Sequence, residues 1–424
     1  MILKEQDGSV IYSDGSAVEQ EMLKLAQKYP EEASADAIAH DSRYTINNTF
    51  SPVRHNLLNW YPFKADANIL EVGAGMGSMT GFLCDVGKTV TAIEMSEARA
   101  DVIRARFPRR NNLKVIGENV LTWQTNERFD YIVVVGVLEY AGIFSSGEGN
   151  APHVAFMRAL QRLLKPGGIV LLAIENRFGL KYWLGGAEDH LKEAFAGIRG
   201  YTQGGPKTFS KQELADVLQQ AGFKAQRFYY VLPDYKFPTA IFTDNYLPSL
   251  HALKNISYTY SAGSTLVANE KDLYKDILKN GMFPNMANSY LVEMGTDAIP
   301  QECVYHVSAR GECKPKYRVV TTIHSDDRVI KKAVDERAVS HVENTYKNGL
   351  ALQARGLKHI PAKYQKGILT TAFCTAQSAG DVFAEKLLMG DWAAAKEMID
   401  ALQTAILSSS EHGDLSSEIS NRIF

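Results

Sequence analysis

Strands and helices alternate from Asn68 to Glu175, and this constrains the fold more than any other feature of the chain. "NILEV" (Asn68–Val72) reads as a strand, and a helix follows over Met79–Val86. "TVTAIEM" (Thr89–Met95) is a second strand, and "EARADVIRARF" a second helix. "LKVIG" and "FDYIVVVGV" are the third and fourth strands. Phe156, Met157, Leu160, Leu163 and Leu164 then recur with a helical period. "LKPGG" turns the chain into a fifth strand, "IVLLAIE". Strands that alternate with helices and carry continuous apolar runs predict a parallel sheet covered on both faces.

The first strand runs into "GAGMG", with glycines at 73, 75 and 77. Glycine lets backbone N–H groups approach a ligand with no side chain in the way. In open parallel sheets that ligand sits beyond the carboxyl ends of the strands. A plain tight turn is the bland alternative. The dinucleotide fingerprint G-x-G-x-x-G is not met, because the sixth position is Ser78. Glu71, two residues before the first glycine, suits a ligand that carries an ammonium group. Glu94 ends the second strand, where an acid can accept hydrogen bonds from ribose hydroxyls. That feature fits a dinucleotide and S-adenosylmethionine equally.

With 424 residues, the chain is long enough for two or three domains. Its 45% apolar and 22% charged content are those of a soluble globular protein, and a net charge of −2 gives no electrostatic case for nucleic-acid binding. Nothing approaches the ~18 uninterrupted apolar residues of a membrane span. The N-terminus lacks an apolar signal core, so a cytoplasmic protein is expected. Cys84, Cys303, Cys313 and Cys374 lack metal-type spacing and read as free buried thiols, with a Cys303–Cys313 pair as the alternative. No His, Asp or Glu spacing indicates a metal.

Downstream, Ser210 and Glu213 form a capping box for a helix whose apolar face is Leu214, Val217, Leu218 and Ala221. "KAQRFYYVL" is a sixth strand and "NSYLVEM" the last of this region. The expected organisation is an N-terminal helical or lid segment over 1–50, an α/β domain over 51–298 with an insertion at 233–287, and a smaller α+β domain over 299–424. In the last of these, Val339, Val342, Tyr346 and Leu350 would stripe one helix, and Met398, Ile399, Leu402 and Ile406 another.

Taken together, "EVGAGMG", "AIEMS", "GENVL", "VVVGVLEYAG" and "LKPGG" resemble the class I S-adenosylmethionine-dependent methyltransferases over roughly residues 50–295. The resemblance implies a Rossmann-like seven-stranded sheet and S-adenosyl-L-methionine as cofactor. Gly73, Gly75 and Gly77 would line the methionine and ribose part, and Glu71 would help hold the amino group. Glu94 would bind the ribose and Met95 lie under the adenine, with Asn119 and Val120 at its edge. Asn119 stands where the family often has Asp. Gly136 and Leu138 would back the sulfonium.

"AIENRFGLKYWLGGAEDH" (Ala173–His190), with "SPVRHNLLNWYPF" and "PDYKFPTAIFTDNYLP", is similar to bacterial methyltransferases of surface-polysaccharide synthesis. That implies a glycan or sugar-phosphate acceptor and a possible glycan-assembly protein partner. A sugar hydroxyl needs a general base. Glu175, Asp189 and His190 are the candidates, His190 first because its ordinary pKa lies near neutrality. The same residues can instead bind sugar hydroxyls or serve structure. A phosphate acceptor needs no base, and Arg54, Arg177 or Lys181 would then hold it. Tyr182, Trp183 and Tyr235 suit either a sugar face or the core.

The C-terminal third resembles the small lobe of a protein-kinase-like fold. Lys332 in "VIKK" stands as the phosphate lysine, and Glu343 or Glu336 as its helix partner. No His-Arg-Asp loop or Asp-Phe-Gly follows, and "HGDL" (His412–Leu415) reads as coincidence, so no phosphoryl transfer is expected. A bifunctional methyltransferase–kinase without its large lobe, and a non-catalytic cofactor-binding scaffold, are the alternative readings.

Overall fold

The computed structural model describes residues 2–4, 10–12, 15–31, 37–38, 41, 43–144, 147–201, 205–261, 263–309, 314–357, 360–375 and 379–409. Two compact units divide the chain, Met1–Glu312 and Cys313–Phe424.

The first unit opens with a small hairpin, β1 (Ile2–Lys4) against β2 (Val10–Tyr12). The main strands follow: β3 (Asn68–Val72), β4 (Thr89–Ile93), β5 (Leu113–Ile116), β6 (Phe129–Val135) and β7 (Leu164–Glu175). Then come β8 (Ala225–Leu232), β9 (Ala240–Phe242), β10 (Ser289–Gly295) and β11 (Val304–Ala309). Within this unit they lie in the order β11-β9-β8-β10-β7-β6-β3-β4-β5. Pairing is parallel from β5 to β7, and antiparallel where β10 meets β7 and beyond. The result is an α/β fold on a mixed sheet.

The parallel strands behave as doubly buried strands should. Ile69, Leu70, Ile132, Val133, Val134, Leu171 and Leu172 are all sealed from solvent. Helices Ala151–Gln161 and Lys211–Gln220 cover one face through Met157, Leu160, Leu214, Val217 and Leu218. Leu164, expected on the first of these helices, instead begins β7. The Ser210–Glu213 capping box forms as expected.

From β3 the chain moves outward to β4 and β5, then returns to β6 on the other side of β3. That reversal opens a crevice at the carboxyl ends of β3 and β6. The N-terminal segment is built against this end. Met22, Ala26, Ile46 and Phe50 pack with Met76 of the glycine turn and with Val102. Glu19 and Arg99, both buried, approach to 3.4 Å. The expected domain edge near residue 298 falls later, because β11 pairs with β9 and so joins the first unit.

In the second unit β12 (Val319–His324), β13 (Arg328–Ala333), β14 (Ala362–Gln365) and β15 (Ile368–Ala372) form an antiparallel order β14-β15-β13-β12. Helix Val339–Ala354 packs on it through Val342, beside Ala338, Val319 and Leu369. Leu350, expected in that stripe, is exposed. So are Ile399, Leu402 and Ile406 of helix Trp392–Ser409, whose buried position is Ala395. Glu343 pairs with Lys347 at 2.7 Å and Lys332 is exposed, and among the described residues no ion pair joins Lys332 to Glu343 or Glu336. The "HGDL" segment and Cys313 lie outside the described residues. Cys84 is free and buried, Cys303 is buried, and Cys374 is exposed.

Val342→Ala should destabilise the second unit by about 2 kcal/mol, the cost of an underpacked core position. Thermal unfolding should show this, while calorimetry with S-adenosylmethionine returns the wild-type affinity.

Candidate active site

A cavity of about 1250 Å³ occupies the crevice. A drug-sized ligand needs roughly 300–1,000 Å³, so there is room for a cofactor and an acceptor together.

The glycine turn forms one wall, and its three glycines do different work. Gly75 has φ of 57° and open space where a Cβ would stand. Gly73 has φ of 64°, and a Cβ there would lie 2.5 Å from the Val137 side chain. It lets the turn close onto the end of β6. Gly77 does not reach the cavity; a Cβ there would strike Phe107 at 2.8 Å. It therefore serves helix packing rather than the ligand expected from sequence.

Glu94 lies under the turn. Its carboxylate accepts from the Gly75 N–H at 2.8 Å and from the Ser96 N–H at 3.1 Å. Burial raises its pKa, against Arg99 and these two bonds. Met95, Asn119 and Val120 continue the wall, and Glu118 joins them. Glu71 does not line the cavity. It is buried and accepts from the Thr80 hydroxyl at 2.6 Å, and burial pushes its pKa up to about 8. Direct contact with an ammonium group, expected from sequence, is thus taken over by an internal hydroxyl. Leu138 is likewise core, while Gly136 lines the cavity with φ of 68°.

The opposite wall holds buried charge. Lys236, from the stretch after β8, donates to Glu175 Oε1 at 2.6 Å and stands 3.6 Å from Asp189. Lys181 and the Tyr182 hydroxyl both donate to Asp189 Oδ2, at 2.8 and 3.0 Å. Burial opposes ionisation of Asp189, but Lys181 and Lys236 outweigh it and hold the carboxyl well below its usual range. Lys181 and Tyr182 therefore orient Asp189, and Tyr182 itself is core.

Glu139, Glu175 and His190 meet beside Gly136. His190 Nε2 is 3.7 Å from Glu175 and 4.0 Å from Glu139, and the Tyr140 hydroxyl meets His190 Nδ1 at 3.1 Å. Burial would lower the His190 pKa, but Glu175 and Glu139 override it and raise it to about 9. Its ordinary near-neutral pKa, the reason for ranking it first as base, is therefore not what this site provides. Burial, then Glu175, push Glu139 up to about 8. Burial would raise Glu175 too, yet Lys236 and His190 bring it down to about 2.

Arg54 lines the cavity, is almost sealed from solvent, and has Nε and Nη1 without hydrogen-bond partners. Arg177 does not reach the cavity; it forms a forked pair with Glu213 at 2.7 and 2.9 Å. The capping box has absorbed it. Tyr44, Tyr140, Lys236 and Ser261 are wall residues that sequence reading did not assign. For Lys236 the signal was a cation inside the aromatic, proline-flanked run "PDYKFP".

Residues 44–227 match the family model described as "Methyltransferase domain". This segment is an S-adenosylmethionine-dependent methyltransferase domain. A ubiquinone biosynthesis O-methyltransferase of Pseudomonas entomophila (strain L48) is 29% identical over 174 residues, 39% of this chain and 71% of the relative. One of Rickettsia bellii (strain OSU 85-389) is 27% identical over 152 residues, 34% of this chain and 59% of the relative. Among solved structures, N-methyltransferase NodS of Bradyrhizobium japonicum WM9 with S-adenosyl-L-homocysteine aligns at 14% identity and a TM-score of 0.33. That alignment covers 62% of this chain and 96% of NodS. S-adenosylmethionine is the cofactor of this methyltransferase domain, and no helix among the described residues is long and apolar enough to cross a membrane.

A side chain at Gly136 would collide with the wall, because a Cβ there lies 2.6 Å from the Tyr235 hydroxyl. Gly136→Ala should cost about 1–2 kcal/mol from the left-handed backbone alone, plus the collision. Chemical denaturation should show Gly136→Ala/Tyr235→Phe recovering part of that loss.

Proposed function

We propose that this methyltransferase transfers the methyl group to an oxygen of a sugar or sugar phosphate in a bacterial cell-surface glycan or its precursor. The observation that carries the reading is the cluster of Glu139, Glu175 and His190 beside Gly136. Methyl transfer is an in-line displacement, and the sulfonium is already a good leaving group. The protein's task is to align the acceptor oxygen and handle its proton. Buried acids and a histidine at the cavity wall supply groups for both. Space beyond that of a cofactor, and the wall residues Tyr44, Tyr140 and Tyr260, suit a polar ring. The likeness of Ala173–His190 to polysaccharide methyltransferases points the same way.

In this reading Gly73 and Gly75 leave bare backbone for the methionine and ribose. Glu94 turns from its two N–H partners toward the ribose hydroxyls, with Met95, Asn119 and Val120 at the adenine. Arg54 takes the cofactor's carboxylate rather than an acceptor phosphate, since a buried guanidinium without partners costs several kcal/mol unless an anion meets it. Glu175 and Asp189 shape the acceptor side. The N-terminal segment closes one wall, and the second unit serves as a docking module rather than a kinase.

A phenolic acceptor is the second reading, favoured by the names of the O-methyltransferase relatives. Release of S-adenosylhomocysteine should be assayed with surface glycans, their nucleotide-sugar precursors and catechols. Turnover on glycans supports the proposal; turnover on catechols alone replaces it with the second reading.

Two substitutions test the cofactor placement. Glu94→Ala should weaken S-adenosylmethionine binding by ~2–3 kcal/mol if two ribose bonds are lost. Arg54→Met should weaken S-adenosylmethionine about tenfold or more, the worth of a charge-assisted bond, yet leave 5′-methylthioadenosine, which lacks the carboxylate, unaffected. Equal losses for both ligands would remove Arg54 from the carboxylate.

A further inference from the structure

We propose that Glu139, Glu175 and His190 bind one divalent metal cation, with open coordination positions facing the cavity. The three residues come from the turn after β6, the end of β7 and the loop beyond it, so their spacing in sequence carries no metal signature. In space each offers a ligand atom, and those atoms lie within 4.8 Å of one another. Glu139 Oε2, Glu175 Oε2 and His190 Nε2 are all buried and lack a hydrogen-bond partner. The two carboxylate side chains are 1% and 0% exposed. A buried polar atom left unpaired costs free energy, and three residues of one cluster that each carry such an atom call for a common partner.

The separations identify that partner. If His190 were simply paired with the carboxylates, charge-assisted bonds of about 2.7–2.9 Å would be expected. His190 Nε2 instead stands 3.7 Å from Glu175 Oε2 and 4.0 Å from Glu139 Oε1. Ligands that share a metal at about 2.0–2.2 Å are separated by roughly 3–4 Å. The outer contacts match a metal site as well. The Tyr140 hydroxyl engages His190 Nδ1 at 3.1 Å and so fixes the ring with Nε2 toward the gap. Lys236 holds the other oxygen of Glu175 at 2.6 Å, orienting that carboxylate without entering the gap. One imidazole and two carboxylates suit zinc, manganese or iron(II). Glu139 and His190 line the cavity, so the remaining positions open toward the acceptor. There the ion could take the hydroxyl oxygen to be methylated; this last step rests on the O-methyl transfer proposed above, and the site itself does not.

The full-length protein, stripped with a chelator, should be titrated with manganese chloride and followed by electron paramagnetic resonance and calorimetry. One ion per chain is expected. Glu175→Gln and His190→Ala should abolish binding, and Tyr140→Phe should weaken it about tenfold. Glu139→Gln keeps the side chain's size and gives a second ligand test should His190→Ala fail to fold. Zinc and, under anaerobic conditions, iron(II) are to be tried by calorimetry in the same way. No saturable binding of any of the three at millimolar concentration, or binding unchanged in Glu175→Gln and Glu139→Gln, overturns the site. Stoichiometric binding without turnover on any hydroxyl acceptor leaves the site standing and counts against the O-methylation reading alone.

Discussion

The whole site depends on backbone passing where no side chain fits. Gly73 brings the turn after β3 against Val137, and Gly136 brings the end of β6 against Tyr235. Both contacts lie at the point where the strand order reverses, so both shape the same crevice. A methyl group at Gly73 would push the turn away from Val137 at the end of β6, and one at Gly136 would push Tyr235 off the wall. Glu94 reinforces the turn by taking the Gly75 and Ser96 N–H groups, which also places a buried acid at the cavity wall.

Across the cavity the structure solves a different problem, that of keeping several charges dry. Glu175 and Asp189 share Lys236, and Asp189 also has Lys181. Removing one member of such a group leaves its partner charged and unpaired, which costs more than the pair itself gains. The stretch after β8 is therefore no passive insertion. It supplies Lys236 and Tyr235 to the wall, and the loop after β7 supplies Asp189 and His190. The charged wall is assembled from segments distant in sequence, while the glycine-turn wall comes from the ends of three successive strands, β3, β4 and β5.

Legibility followed that division. Gly73, Gly75, Glu94, Met95, Asn119 and Val120 stand at the cavity because each follows the carboxyl end of a parallel strand, and strand ends are written locally in glycine placement and periodicity. Glu71 and Gly77 share the motif but turn inward, Glu71 to Thr80 and Gly77 toward Phe107. Which side of a turn a residue faces depends on the helix packed behind it. Arg177 looked like an anion ligand, yet Glu213 holds it, and that pairing exists only once the capped helix docks. In the second unit the stripe of Ile399, Leu402 and Ile406 has a helical period but stays exposed. Periodicity shows which residues share a face, not whether anything covers it.

By itself the sequence determined the α/β architecture, the order of its strands and helices, and a glycine turn suited to S-adenosylmethionine. These rest on short-range physics: backbone freedom, alternation and capping. Only the tertiary structure decided that Glu139, Glu175 and His190 cluster, that Lys236 reaches Glu175, and that Arg54 is buried with Nε and Nη1 unpartnered. Those facts concern burial and charge among residues far apart in the chain, and both are properties of the assembled surroundings rather than of any segment.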